Sequence, residues 1–391
     1  MVSINELLEL AVARGASDLH IKIGAQPVIR IDGHLTTMID QKRLTPDDTL
    51  HLAFSMMSPG QREKFRKHKQ IDLAHAIPGL GRFRVSCFQQ RGTVSIVLRV
   101  VPTKILGFRE LFLPPVMEKL SMENRGLIIL TGTTGSGKST TLAAMMDYMN
   151  VHRVEHIVTI EDPIEFLHRD KRCIINQREI GSDTESFSGA LKVTLRQDPD
   201  VILVGEMRDF ETVELALAAA ETGHLVLTTL HTLDAVESIN RIVAFFPPHQ
   251  QQQIRMELAS IIKGIVSQRL MPRADGKGRI PAVEVLVSTA LVRDKIVDKE
   301  KTIEIKEAIA DGIIQYGMQT FDQCLIGLFN QKLVTLDTAM RYCSNPDDFM
   351  LKVKGISSTS DMAKTEEAEE VGAGFQEEEA TFDFSNTLSD E

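Results

Sequence analysis

Apolar positions change their rhythm along this chain. Over the first hundred residues they fall in short alternating runs, and from about Glu110 they fall in continuous blocks separated by helical periods. The stretch 4–14 reads as an amphipathic helix, and ASDLHIKIG (16–24) alternates as a strand does. PVIRIDGHL (27–35) predicts a second strand that turns at Asp32-Gly33, and helices are expected over 47–57 and 59–67. DLAHAI, GRFRVSCFQQRG and TVSIVLRVV (72–101) then read as strands, the last two joined at Arg91-Gly92. These elements predict a small α+β domain over 1–102, followed by a linker over 103–112. From there to residue 355 strands alternate with helices, the grammar of a parallel sheet covered on both faces. No internal repeat interrupts it.

Within the second region, 126–141 reads GLIILTGTTGSGKSTT. Residues 127–130 are a short apolar run bounded by glycines, the pattern of a buried parallel strand. It leads into Gly132-Thr133-Thr134-Gly135-Ser136-Gly137-Lys138-Ser139, a full match to the phosphate-loop pattern G-x-x-x-x-G-K-[ST]. Glycines allow backbone conformations in which successive N–H groups converge on phosphate oxygens. In such a loop Lys138 reaches the β- and γ-phosphates and the Ser139 hydroxyl ligates Mg²⁺. The helix-forming stretch that starts at Thr140 adds its N-terminal dipole behind the phosphates. A plain Gly-rich turn would not require strand, loop and helix in this order. The expected ligand is a nucleoside triphosphate, read as ATP with Mg²⁺.

Three later stretches carry further chemistry. HIVTIEDPIEF (156–166) is an apolar strand ending in acids, placed where open α/β sheets bind ligands. In DPDVILVGEMRD the apolar run 201–204 ends in Gly205-Glu206, so Glu206 reads as a Walker B acid that holds Mg²⁺ directly or through water. ETGHLVLTTLHT (221–232) sets His224 and His231 at opposite ends of a third apolar strand. A lone strand histidine is usually structural. Two that bracket the strand after a Walker B acid read as a sensor of the γ-phosphate.

Charge narrows the partners. The formal net charge is −10, and residues 356–391 hold eleven acids against the single base Lys364. The preceding 355 residues are therefore formally neutral, which argues against a nucleic-acid machine. The acidic tail is expected to be disordered, either as a solubilising segment or, through Phe375, Phe382 and Phe384, as a docking motif. Cys87, Cys173, Cys324 and Cys343 show no metal or disulfide spacing and fit reduced thiols of a cytoplasmic protein. The N-terminus lacks the features of a signal peptide, and no apolar stretch approaches a membrane span, so membrane contact is expected only through partners.

GTTGSGKST, the acidic box EDPIE (161–165), ILVGEMRD (202–209) and the histidine box GHLVLTTLHT (223–232) together resemble the secretion ATPases of type II secretion and type IV pili. The resemblance is closest to the PilT/PilU-type pilus-retraction ATPases and covers roughly residues 1–350. DGKGRIPAVEVL (275–286), LRQDPDVI (195–202) and the acidic tail lean to the PilU side. Where PilT proteins carry Ala-Ile-Arg-x-Gly, this chain has Ala308-Ile309-Ala310-Asp311-Gly312, without the arginine. The four-cysteine zinc loop usual in assembly and secretion relatives has no counterpart after the histidine box.

The resemblance implies a PAS-like N-terminal domain joined to a RecA-like ATPase domain, in a homo-hexameric ring. It implies ATP between the domains and a neighbouring subunit, with Glu165 as general base. It also implies an inner-membrane platform protein as partner at the cytoplasmic face, with room for a paralogous retraction ATPase. Phosphoryl transfer is mostly positioning and charge stabilisation, so cationic side chains are expected at the site. Arg82, Arg84 and Arg99 are the candidate arginine fingers; taken singly, each also reads as a strand-surface arginine. Arg82 and Arg84 stand two apart, so on a strand they leave the same face. The expected function is a motor for pilus retraction. The alternatives are a motor for assembly or secretion, a non-catalytic ATP-binding adaptor of a second ATPase and, last, a DNA translocase.

Overall fold

Alternation in the first hundred residues builds an antiparallel sheet. In the computed structural model, which describes residues 3–31, 33–102 and 104–354, six strands form it. They are β1 (Asp18–Ile21), β2 (Val28–Ile31), β3 (His34–Thr37), β4 (Gln70–Ile77), β5 (Gly81–Gln90) and β6 (Thr93–Val100), in the order β3-β2-β1-β6-β5-β4. On β5, Phe83, Val85 and Cys87 are fully buried, and Arg82, Arg84 and Ser86 take the other face. The buried face packs on the helices Ile4–Ala13, Pro46–Ser55 and Pro59–His68. Gln90 opposes Thr93, so Arg91 and Gly92 alone make the β5–β6 turn, both at positive φ (48° and 77°) as a tight hairpin requires. The β2–β3 turn lies at the expected place, although Asp32 falls outside the described residues, as does the acidic tail 356–391.

The second sheet has seven strands: β7 (Gly126–Thr131), β8 (His156–Glu161), β9 (Ile174–Glu179), β10 (Val201–Val204), β11 (Leu225–Leu230), β12 (Ile262–Pro272) and β13 (Arg279–Val287). Their order is β13-β12-β7-β11-β10-β8-β9, parallel throughout except for the β12–β13 pair. Every residue of β7, β10 and β11 is buried, which is why these strands read as unbroken apolar blocks. Alternate residues feed opposite faces. Leu127, Ile129, Ile202, Val204 and Val226 pack on the helices Phe210–Glu221, Ala235–Ala244 and Gln251–Ile261. Ile128, Leu130, Leu203, Leu225 and Leu227 pack on Val116–Ser121 and Lys138–His152. A smaller core of C-terminal helices, with Phe321, Leu325 and Phe349, sits against Met271, Ile280 and Ala282 of β12 and β13.

The expected linker 103–112 is not free over its second half. Phe108 is buried in the core beneath the phosphate loop's helix, with its ring 5.3 Å from that of Tyr148. The chain is thus anchored to the ATPase domain before the helix Val116–Ser121 begins.

Candidate nucleotide site

The carboxyl ends of the parallel strands hold the site. Between β7 and the helix Lys138–His152 the loop turns on glycines. Gly132 has φ 139°, and a Cβ there would stand 2.4 Å from the Gln268 carbonyl and 2.6 Å from Ser136 Oγ. Gly137 caps the helix at φ 98°, a conformation that suits glycine. Lys138 is almost buried and curls over its own loop, Nζ donating to the carbonyls of Gly132 (2.7 Å) and Thr133 (3.0 Å). Burial lowers its pKa, against the opposing pull of Glu206 and Glu165. Thr134, Gly135, Gly137, Lys138, Ser139 and Thr140 line a cleft of about 580 Å³. Gly132, Thr133 and Ser136 shape the loop from behind, and Ser136 Oγ is buried with no partner among the described residues.

Acids line the cleft from neighbouring strands. β8 ends at Glu161, the peptide Asp162-Pro163 is cis, and Glu165 follows with its side chain exposed at the cleft. Glu161 accepts hydrogen bonds from Thr159 Oγ1 (2.7 Å) and Gln177 Nε2 (3.1 Å), and burial pushes its carboxyl above the ordinary value. Glu206, just past β10, meets Arg208 Nη2 at 2.8 Å and His231 Nε2 at 3.2 Å. Burial would raise the Glu206 pKa, but Arg208 and His231 outweigh it and hold the carboxyl below its usual range. An ionised carboxylate and the Ser139 hydroxyl on one cleft form an oxygen donor set that fits Mg²⁺ completed by phosphates and water. Among the described residues no group of three or more His, Cys, Asp or Glu is arranged to hold a metal unaided.

The N-terminal domain closes the other side. Arg84 and Arg99 face the cleft as direct partners on β5 and β6, and Arg99 Nε donates to Asp18 Oδ1 at 2.9 Å. Arg82 shares the face of Arg84 but does not line this cleft; its Nη2 donates to Glu179 Oε2 at 2.9 Å. His231 lies in the cleft, and His224 does not. His224 precedes β11, at the opposite end of a six-residue strand that spans about 20 Å, with Nδ1 2.9 Å from the Ala219 carbonyl. The expectation that His224 touches nucleotide is therefore corrected for a single chain, because a parallel strand carries its two ends to opposite edges of the sheet.

Sequence reasoning passed over Arg208, Arg279 and His168, all of which line the cleft. Arg208 had a legible signal, two positions after Glu206. His168 stands three residues past Glu165 on the same stretch, and Arg279 had no signal, since it arrives through packing of a distant segment. Beside the cleft, a cavity of about 380 Å³ lies between 106–113 and Arg279, sharing Gly137, Thr140, Leu270 and Arg279 with it.

Residues 1–321 match the model of the family described as "Type II/IV secretion system protein". The chain is 43% identical over 348 residues to the Pseudomonas aeruginosa protein named "Type IV pilus retractation ATPase PilT", covering 89% of this chain and 100% of that protein. It is also 43% identical over 360 residues to "Type IV pilus ATPase PilU" of the same organism, covering 92% and 93%. A solved structure described as "Crystal Structure of the Pilus Retraction Motor PilT and Bound ADP" superposes with a TM-score of 0.83 at 46% identity, covering 89% of this chain and 99% of that one.

Proposed function

Since the chain belongs to the type II/IV secretion system protein family, an ATPase family, we propose that it is the ATP-hydrolysing motor of a type IV pilus machine and powers or assists pilus retraction in twitching motility. One observation carries the mechanism: the phosphate loop and the acids of one domain share a single cleft with Arg84 and Arg99 of the other. ATP lays its phosphates along 134–140, and Lys138 exchanges the carbonyls of Gly132 and Thr133 for phosphate oxygens. Glu165 takes the proton of the attacking water. Ser139 and Glu206 would hold Mg²⁺, which supplies neutralising charge on the phosphates. His231, through its contact with Glu206, reports on the γ-phosphate to β11.

Arg84 and Arg99 stand directly opposite on neighbouring strands. Like charges so placed repel, and an anion between them relieves that repulsion. They therefore serve as the cationic clamp on the transferred phosphoryl group, and drawing them in closes the N-terminal domain on the site. The neighbouring 380 Å³ cavity is the proposed seat of the nucleotide's adenine ring. In this reading the chain works as a homo-hexamer on a platform protein at the cytoplasmic face of the inner membrane, beside a paralogous ATPase where one exists. No helix among the described residues is long and apolar enough to cross a membrane.

The test is fibre length in cells carrying Lys138→Ala in place of the native chain. A retraction motor predicts more and longer surface pili, and an assembly motor predicts their loss. Phosphate release by the purified native chain separates both from an ATP-binding adaptor, which would release none.

A further inference from the structure

Glu179 is a buried carboxylate whose one cationic partner among the described residues belongs to the other domain. It ends β9, the outermost strand of the parallel sheet, in register with Glu161 at the end of β8. Only 4% of Glu179 is exposed. Its Oε2 accepts from Arg82 Nη2 at 2.9 Å and from the backbone N–H of Ile164 at 3.1 Å, and its Oε1 accepts from Ser182 Oγ at 3.3 Å. Ile164 is the residue before Glu165. The next backbone N–H, that of Glu165, is directed at Glu161 Oε2 at 3.4 Å. The segment carrying Glu165 is thus held at consecutive N–H groups by carboxylates from two adjacent strands, and the outer carboxylate is also the seat of the N-terminal domain.

A buried ion pair is a poor device for stability, because desolvation of both charges cancels most of the attraction. It is a good device for fixing one arrangement of two bodies. Arg82 stands two residues from Arg84 on the same face of β5, so whatever seats Arg82 sets the reach of Arg84 into the nucleotide cleft. Beside the pair a cavity of about 240 Å³, lined by Arg82, Arg84, Glu179 and Ser182, separates the domains and gives them room to rock about that contact.

We propose that Glu179 is a positioning residue. It receives Arg82 when the N-terminal domain closes and, through the N–H of Ile164, fixes the segment that presents Glu165 to the attacking water. Closure and placement of the base are then one event. Arg82 is accordingly the docking arginine, and Arg84 with Arg99 are the arginines that meet phosphate. The inference rests on the reading of Glu165 as the base.

The experiment is a double-mutant cycle in the full chain with Glu179→Gln, Arg82→Ala and the combined variant, reading kcat, KM and binding of a fluorescent ATP analogue. Gln still accepts from the N–H of Ile164 but withdraws the charge that seats Arg82. Misplacing a reacting group by about an ångström costs roughly a hundredfold. Each single variant should therefore lose about ten- to a hundredfold in kcat while analogue affinity stays within about threefold. The combined variant should be no slower than the slower single one, and Arg82→Lys should recover part of the rate. Folded single variants with unchanged kcat, or losses that multiply in the combined variant, would overturn the proposal. If Glu179→Gln does not fold, Arg82→Ala and Arg82→Lys decide it alone, a flat kcat across both being the contrary result. Glu165→Gln measured alongside keeps the two readings apart: full turnover there removes the base assignment, whereas its loss beside unaffected Glu179 and Arg82 variants removes only the docking role.

Discussion

Lys138 and Glu165 occupy the same cleft in opposite conditions. Lys138 is nearly buried and satisfied by carbonyls of its own loop, and Glu165 has its carboxylate exposed where water can reach it. Glu161, four residues earlier, is buried and already tied to Thr159 and Gln177, which keeps it from water. Glu165→Gln should therefore keep ATP binding and slow hydrolysis by about 10²–10⁴-fold, measured as phosphate release at saturating ATP. A fall of less than about fivefold would transfer the role, with Glu161 next to be tested. At this scale the sequence was legible wherever spacing along the backbone defines the chemistry, as in the phosphate loop and in Glu206 at the end of its strand. It was not legible for partners brought together by tertiary packing. The shared face of Arg82 and Arg84 follows from strand periodicity, but that Arg82 ends on Glu179 depends on how two domains meet.

Elements were readable in proportion to how uniformly they are buried. β7, β10 and β11 are apolar at every position because helices cover both faces, and β5 alternates because one face is open. β9, with the sequence IINQRE, carries no such signal. It is an edge strand whose polar residues face the acidic segment and solvent, so only its pairing with β8 makes it a strand. Residues 103–112 misled in the other direction, since a stretch between two domain patterns reads as linker while Phe108 within it is a core residue. Phe108→Ala should remove its packing against Tyr148 and cost about 3–5 kcal/mol in denaturant unfolding of the ATPase domain. A loss below about 1 kcal/mol would mean that this segment is not anchored as described.

For the molecule as a whole, the two domains have separate cores and meet where the nucleotide cleft lies. Neither half is a complete site. The ATPase domain brings the phosphate loop, Glu165 and Glu206 to the cleft, and the N-terminal domain brings Arg84 and Arg99. In the proposed reading, hydrolysis requires the two domains to meet, which couples it to domain closure. An arginine that completes such a site contributes about 10³–10⁵-fold in rate. The direct measurement is single-turnover hydrolysis beside equilibrium ATP binding in the Arg84→Ala/Arg99→Ala variant. Binding within about tenfold of native, with the chemical step slowed by about 10³-fold or more, is the predicted result. Native single-turnover rates in that folded variant would contradict the two-domain site.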